Sequence, residues 1–144
     1  MYIDSAIIVK LLVKEELSDF FQDALENIVL TTSELSLVEV ASALLSKVRT
    51  KSISEKQRLA AREVFHKKID AEQILILALD SPVYSKARSL IEFCHPEVSL
   101  RTLDAIHIPA CDISQDLPLC ATDSRIRAAA TKLRIPLFPE TMPI

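Results

Sequence analysis

Four acidic residues in this 144-residue chain stand beside or among apolar residues: Asp4, Glu39, Asp104 and Asp123. Asp4 and Asp123 each close a short β-prone run, residues 1–3 and 118–122, and each is followed by a helix-like segment. In a parallel sheet such residues lie at the carboxyl ends of strands, where open α/β folds bind ligands. Taken singly, each also reads as a helix N-cap. Glu39 is flanked by Leu37, Val38 and Val40 in the middle of a helical pattern. Asp104 falls in the first turn of a helix that Thr102 is placed to cap, where a carboxylate is favoured, but Ala105, Ile106 and Ile108 follow it closely. Four separate structural acids are one reading, and one shared site is the other. Gathered together, four carboxylates repel strongly, and a bound cation is the simplest remedy. Oxygen donors without Cys or His select Mg²⁺ or Mn²⁺ over Zn²⁺, and such ions bind phosphates. The chemistry that follows is metal-assisted hydrolysis of a phosphodiester.

The elements that must position these acids follow from the apolar spacing. Residues 5–13 read as a mostly apolar helix capped by Asp4 or Ser5, and 16–27 as an amphipathic helix with Leu17, Phe20, Phe21, Ala24 and Leu25 on one face. A second strand is expected at 28–31. Residues 33–49 form a long helix with Leu35, Val38, Ala41, Leu45 and Val48 at spacings of three and four. Ser54 caps a charged helix over 55–68, the apolar run 74–79 reads as a buried strand, and Pro82 opens a helix running to about residue 95. After the segment at 102, residues 118–122 form a strand, 124–134 a helix and 135–138 a last short strand. Alternation of this kind predicts an α/β fold: a mostly parallel sheet covered by helices on both faces, in a single domain spanning 1–144.

Composition narrows the chemistry. Glycine is absent, so neither a Gly-rich dinucleotide fingerprint nor a phosphate-binding P-loop is present. Helices are therefore expected to end on Asn, Asp or Pro. Cys94, Cys111 and Cys120 lie among apolar residues without a Cys-x-x-Cys pair and read as buried reduced thiols. No apolar stretch approaches the roughly 20 residues of a membrane span, and residues 1–4 carry no basic leader, so a cytoplasmic protein is expected. The formal net charge is −3. The four acids outweigh that figure, leaving the rest of the chain slightly basic, which suits a polyanionic substrate once cations fill the site.

The motifs around the acids resemble the PIN-domain ribonucleases, and most closely the VapC toxins of toxin–antitoxin pairs. The matching pieces are the start Met1-Tyr2-Ile3-Asp4-Ser5-Ala6, the segment from Thr32 to Val40, the segment from Leu100 to His107, and Ala121-Thr122-Asp123-Ser124-Arg125. They occur in the family's order and frame nearly the whole chain. The resemblance implies a three-layer α/β/α sandwich and Mg²⁺- or Mn²⁺-dependent cleavage of RNA. It makes Asp4, Glu39, Asp104 and Asp123 the catalytic, metal-binding set, with Ser5 or Thr122 orienting a ligand or water. It further implies a homodimer inhibited by a cognate antitoxin protein.

Pro109 departs from the family's small residues at this position, and a kink or reset is expected after Ile108. His107 shares a helix face with Asp104 and reads as a hydrogen-bonded structural residue more readily than as a base. Arg101 is placed to meet a phosphate but equally suits a solvated helix start. Lys47, Arg49, Lys51, Lys56, Arg58 and Arg62 concentrate positive charge that either guides RNA or is simply solvated. The apolar segments 6–13, 20–25 and 33–48 carry more hydrophobic surface than one sheet face covers, which marks partner sites. A non-catalytic PIN-like module binding RNA or protein is the alternative. A phosphotransfer enzyme is disfavoured, because an aspartyl-phosphate phosphatase needs a second Asp where Ala6 stands.

Overall fold

The computed structural model describes residues 1–143. The chain runs β1 (Tyr2–Ile3), α1 (Ser5–Leu12), α2 (Ser18–Ala24), β2 (Leu30–Ser33), α3 (Glu34–Arg49), α4 (Glu55–Asp70), β3 (Ile74–Leu77), α5 (Ser81–Cys94), α6 (Asp104–Ser114), β4 (Leu119–Cys120), α7 (Ser124–Lys132) and β5 (Leu137–Phe138). The five strands among the described residues form one all-parallel sheet in the order β3-β2-β1-β4-β5. The chain winds outward from β1 to β3 and then returns to the other side of β1 with β4. The topological switch point therefore lies between β1 and β4, paired at Tyr2 with Leu119 and at Ile3 with Cys120.

Side chains alternate across the pleat and seed two cores. Ile3, Leu30, Ile74 and Cys120 point to the layer of α1, α2, α3 and α4, where they meet Ile7, Ile8, Phe21, Val40, Leu44 and Phe65. Tyr2, Leu119 and Ala121 point to α5, α6 and α7, joining Val83, Leu90, Cys94, Ile108, Ile126 and Ala129. This is the expected α/β/α sandwich. Apart from a few crossing residues, the first core is drawn from the amino-terminal half and the second from the carboxyl-terminal half.

Local signals set most boundaries. Asp4, Ser54, Asp80 and Asp123 cap α1, α4, α5 and α7 with their side chains, and Ser54 with Gln57 completes a reciprocal capping box. Several expectations are corrected. The second helix begins at Ser18, not at residue 16, because Leu17 is left-handed (φ 64°) and the buried Ser18 hydroxyl accepts from the Glu15 amide and donates to the Val13 carbonyl. Strand β2 starts two residues later than expected, leaving Ile28 and Val29 exposed. Strand β3 is an edge strand with Leu75 exposed rather than a buried one, since it pairs only with β2.

The helix ends also differ from expectation. Left-handed residues beyond α3, α4 and α7 and at the end of α6 are Lys51, Glu72, Arg134 and Gln115, and only Asn27, after α2, is of an expected type. Helix α6 runs through Pro109 as one continuous element and is not reset there. The apolar segments on α1 and α2 are largely absorbed into the core, so they leave no broad free face. Exposed apolar side chains concentrate instead on α3 and α4, at Leu37, Val38, Leu45, Leu59 and Val64, and on α5 at Tyr84 and Phe93. The three cysteines are buried and free. No helix among the described residues is long and apolar enough to cross a membrane.

Candidate active site

The carboxyl ends of β1 and β4 each deliver an acid to the switch point. Asp4 follows β1 and is 2 % exposed; its Oδ1 accepts from the Ile7 amide at 2.9 Å. Asp123 follows β4, and its Oδ1 accepts from the Arg125 and Ile126 amides at 2.8 and 3.1 Å. The N-cap reading and the site reading are thus compatible: one oxygen of each carboxylate is committed to a helix start, and Oδ2 remains for a ligand. Asp123 Oδ2 has the Arg125 guanidinium at 3.9 Å.

Two helices supply the other acids, one from each layer. Glu39, on α3, is half-buried and receives a 2.7 Å hydrogen bond through Oε2 from His107 Nε2. Asp104 is the first residue of α6. The residue before it is Leu103, itself helical in conformation, and Thr102 does not act as the cap. The turn is closed instead by the Arg101 carbonyl, which accepts from the Ala105 amide at 2.9 Å. Asp104 Oδ2 is buried without any hydrogen-bond partner, an arrangement that asks for a ligand.

The acids influence one another in pairs: Asp4 with Glu39 and Asp123, and Asp104 with Asp123. Burial pushes Asp4 up to about 6, with Glu39 and Asp123 adding repulsion and His107 and the Ile7 amide working against it. Asp104 is raised by burial and by Asp123, while the nearby Arg101 and His107 oppose the rise. Glu39 moves the other way. Its burial acts to raise it, but His107 and the neighbouring Ser5 hydroxyl outweigh that and hold it below the usual carboxylate range. His107 is central to the group and 1 % exposed; its Nδ1 meets the Tyr2 hydroxyl at 2.9 Å. Ser5 stands beside Glu39, Arg101 is exposed near Asp104, and Thr122 is half-buried next to Asp123. Tyr2 escaped the sequence reading. The signal was a tyrosine inside a fully apolar strand, since a buried phenol hydroxyl requires a partner.

Among the described residues no three His, Cys, Asp or Glu side chains stand close enough to close around an ion. The donor chemistry nevertheless fits a hard divalent cation: oxygens only, two carboxyls raised by burial and mutual repulsion, and the unpartnered buried Asp104 Oδ2.

An all-parallel sandwich with acids converging on its switch point defines a class of α/β proteins in which the sheet's carboxyl edge does the work. The chain belongs to the PIN domain family, whose description matches residues 1–132. It is 36 % identical to Ribonuclease VapC46 of Mycobacterium tuberculosis, over 92 % of each chain. Among solved structures it is similar to VapC20 of the same organism, a toxin that cleaves the sarcin–ricin loop (TM-score 0.69, 16 % identity, 99 % of this chain and 98 % of that one). It is also similar to FitAcB of Neisseria gonorrhoeae (TM-score 0.62, 17 % identity, 96 % of each chain). A third similar fold is in VapBC2 of Rickettsia felis bound to a promoter DNA fragment (TM-score 0.65, 12 % identity, 94 % and 95 %). At these identities the solved structures speak for the fold.

Proposed function

We propose that this protein is a Mg²⁺- or Mn²⁺-dependent endoribonuclease and the toxin of a type II toxin–antitoxin pair. The observation that carries the reading is that Asp4, Glu39 and Asp104 neighbour His107, with Asp123 beside Asp4 and Asp104 at the end of β4. The likeness to Ribonuclease VapC46 supplies the substrate class.

Asp4, Asp104, Asp123 and Glu39 would hold the cation, and the bound cation supplies a more acidic water and neutralises charge at phosphorus. The protein's own part is positional. Helix caps fix Asp4 and Asp123 through Oδ1, which leaves Oδ2 of each for the cation. The start of α6 presents Asp104, and His107 holds Glu39. Ser5 and Thr122 orient a water or a ribose hydroxyl, and Arg101 meets a phosphate near Asp104.

The partners follow from the surface. The groove between α3 and α4, a cavity of about 220 Å³, is lined by Leu37, Leu45, Phe65 and Arg62 and suits the apolar face of an antitoxin helix. A homodimer in the cytoplasm is part of the same reading. The decisive experiment is cleavage of RNA with Mn²⁺ by wild type, Asp4→Asn and Asp104→Asn. Wild type cleaves and both folded variants do not; retained cleavage in both variants defeats the mechanism.

A further inference from the structure

We propose that Tyr2 is a positioning residue of the acidic pocket: its hydroxyl, donating to His107 Nδ1, holds the imidazole in the one tautomer whose Nε2–H can donate to Glu39. The inference rests on the reading of Glu39 as a metal-binding carboxylate. The three groups lie far apart in sequence. Tyr2 is in β1 on the α5–α7 side of the sheet, His107 is in α6, and Glu39 is in α3 on the opposite side. The hydrogen bonds, 2.9 Å from Tyr2 to Nδ1 and 2.7 Å from Nε2 to Glu39 Oε2, carry one continuous link across the sheet's carboxyl edge.

The direction of each bond follows from donor inventory. A neutral imidazole has one donor nitrogen and one acceptor nitrogen. An ionised carboxylate only accepts, so Nε2 must carry the hydrogen. In the proposed neutral ring, Nδ1 is then an acceptor, and the Tyr2 hydroxyl is the group that reaches it; an imidazolium would instead donate from both nitrogens. The ring and the phenol meet edge to face, with centroids 5.9 Å apart, and both side chains are essentially inaccessible to water. Burial also pushes the Tyr2 phenol well above its usual value, against the weaker pull of the Ser33 and Thr32 hydroxyls, so the hydrogen needed for donation is kept. Glu39 thereby keeps Oε2 on the protein, and its second oxygen, with the Ser5 hydroxyl nearby, is the one left for a ligand. This is the same division of labour that the helix caps impose on Asp4 and Asp123. Groups of this kind orient metal-binding side chains without touching the metal.

The test uses the full chain labelled with ¹⁵N-histidine and free of metal, with ring-nitrogen shifts read at neutral pH. His66 and His95 are assigned by their Gln variants. His107 is expected as the Nε2–H tautomer in wild type, and Tyr2→Phe, which removes a single oxygen, is expected to lose that pattern. Calorimetric titration with Mn²⁺ alone should show affinity lowered roughly 10- to 100-fold in Tyr2→Phe, the usual effect of losing such an orienting group. His107→Gln keeps a donor at the Nε2 position without needing a tautomer, so adding Tyr2→Phe to it should change Mn²⁺ affinity no further. The Nδ1–H tautomer or an imidazolium in wild type overturns the proposal, and so does an unchanged pattern in Tyr2→Phe. Wild type that shows the Nε2–H tautomer and its dependence on Tyr2 but cleaves no RNA overturns the ribonuclease reading and leaves the Tyr2 link standing.

Discussion

Asp4 shows how a single carboxyl couples the site to stability. Its ordinary value is 3.8 and burial lifts it to about 6 in the folded chain, so folding favours its protonated form. That contribution is complete below pH 4 and is lost as pH rises through 6, on the order of 2–3 kcal/mol at about 1.4 kcal/mol per unit. Asp104 is raised and adds to the same trend, whereas Glu39 is lowered and contributes stability that disappears only as pH falls below the ordinary carboxylate range. The metal-free protein is therefore expected to become less stable to urea between pH 4 and pH 7. Asp4→Asn, which still accepts from the Ile7 amide, should flatten most of that slope; an unchanged slope contradicts the burial argument. The four acids stand out in the sequence because apolar residues flank or precede them. Which oxygen each commits to the protein was not legible, since that depends on helix starts and on His107, whose partners lie 105 and 68 residues away.

Helix starts were more readable than helix ends. A Ser, Thr or Asp beside an apolar repeat announces an N-terminus, as Ser54 did for α4; the return bond from Gln57 emerged only in the structure. Ser54→Ala should lower stability by about 1 kcal/mol in urea unfolding, the usual cost of losing such a cap. Without glycine, most C-terminal signals vanish, Pro96 after α5 being one that remains, and Lys51 and Glu72 take up left-handed φ of 59° and 54°. Each such residue costs about 1–2 kcal/mol relative to a comfortable conformation. Lys51→Gly and Glu72→Gly are thus expected to stabilise the protein, against the usual effect of glycine, by about 0.5–1 kcal/mol each. A loss of stability in both would show that their side chains matter more than their backbone. Edge position was the other unreadable property: the sequence of β3 is as apolar as that of a central strand, and only the strand order leaves it with one neighbour.

For the whole molecule, periodicity announced the α/β/α layering, but not which apolar surfaces stay uncovered. Of the three segments that looked over-endowed, those on α1 and α2 are consumed by the core, whereas the one on α3 keeps free apolar surface, continued on α4. Leu45, 42 % exposed and almost two turns beyond Glu39, tests the proposed partner site. Leu45→Glu should leave RNA cleavage intact and remove the complex with the neighbouring gene's product in sedimentation. A complex as tight as wild type would move the antitoxin to another face.

The seam between β1 and β4 has a consequence for how the molecule breathes. Its ladder spans only two residue pairs, and the acids on its two sides come from opposite halves of the chain: Asp4 and Glu39 from the first, Asp104 and Asp123 from the second. Repulsion between those pairs works to part the halves, and in the proposed mechanism a cation shared by them would join them. Ion occupancy would then be a clasp on the halves' mutual fluctuation, beyond its part in chemistry. Hydrogen exchange should show Mn²⁺ slowing the amides of β1 and β4 and the first turns of α1, α6 and α7 together, while those of α4 hardly respond. Protection confined to one half would mean that the halves do not share the ion.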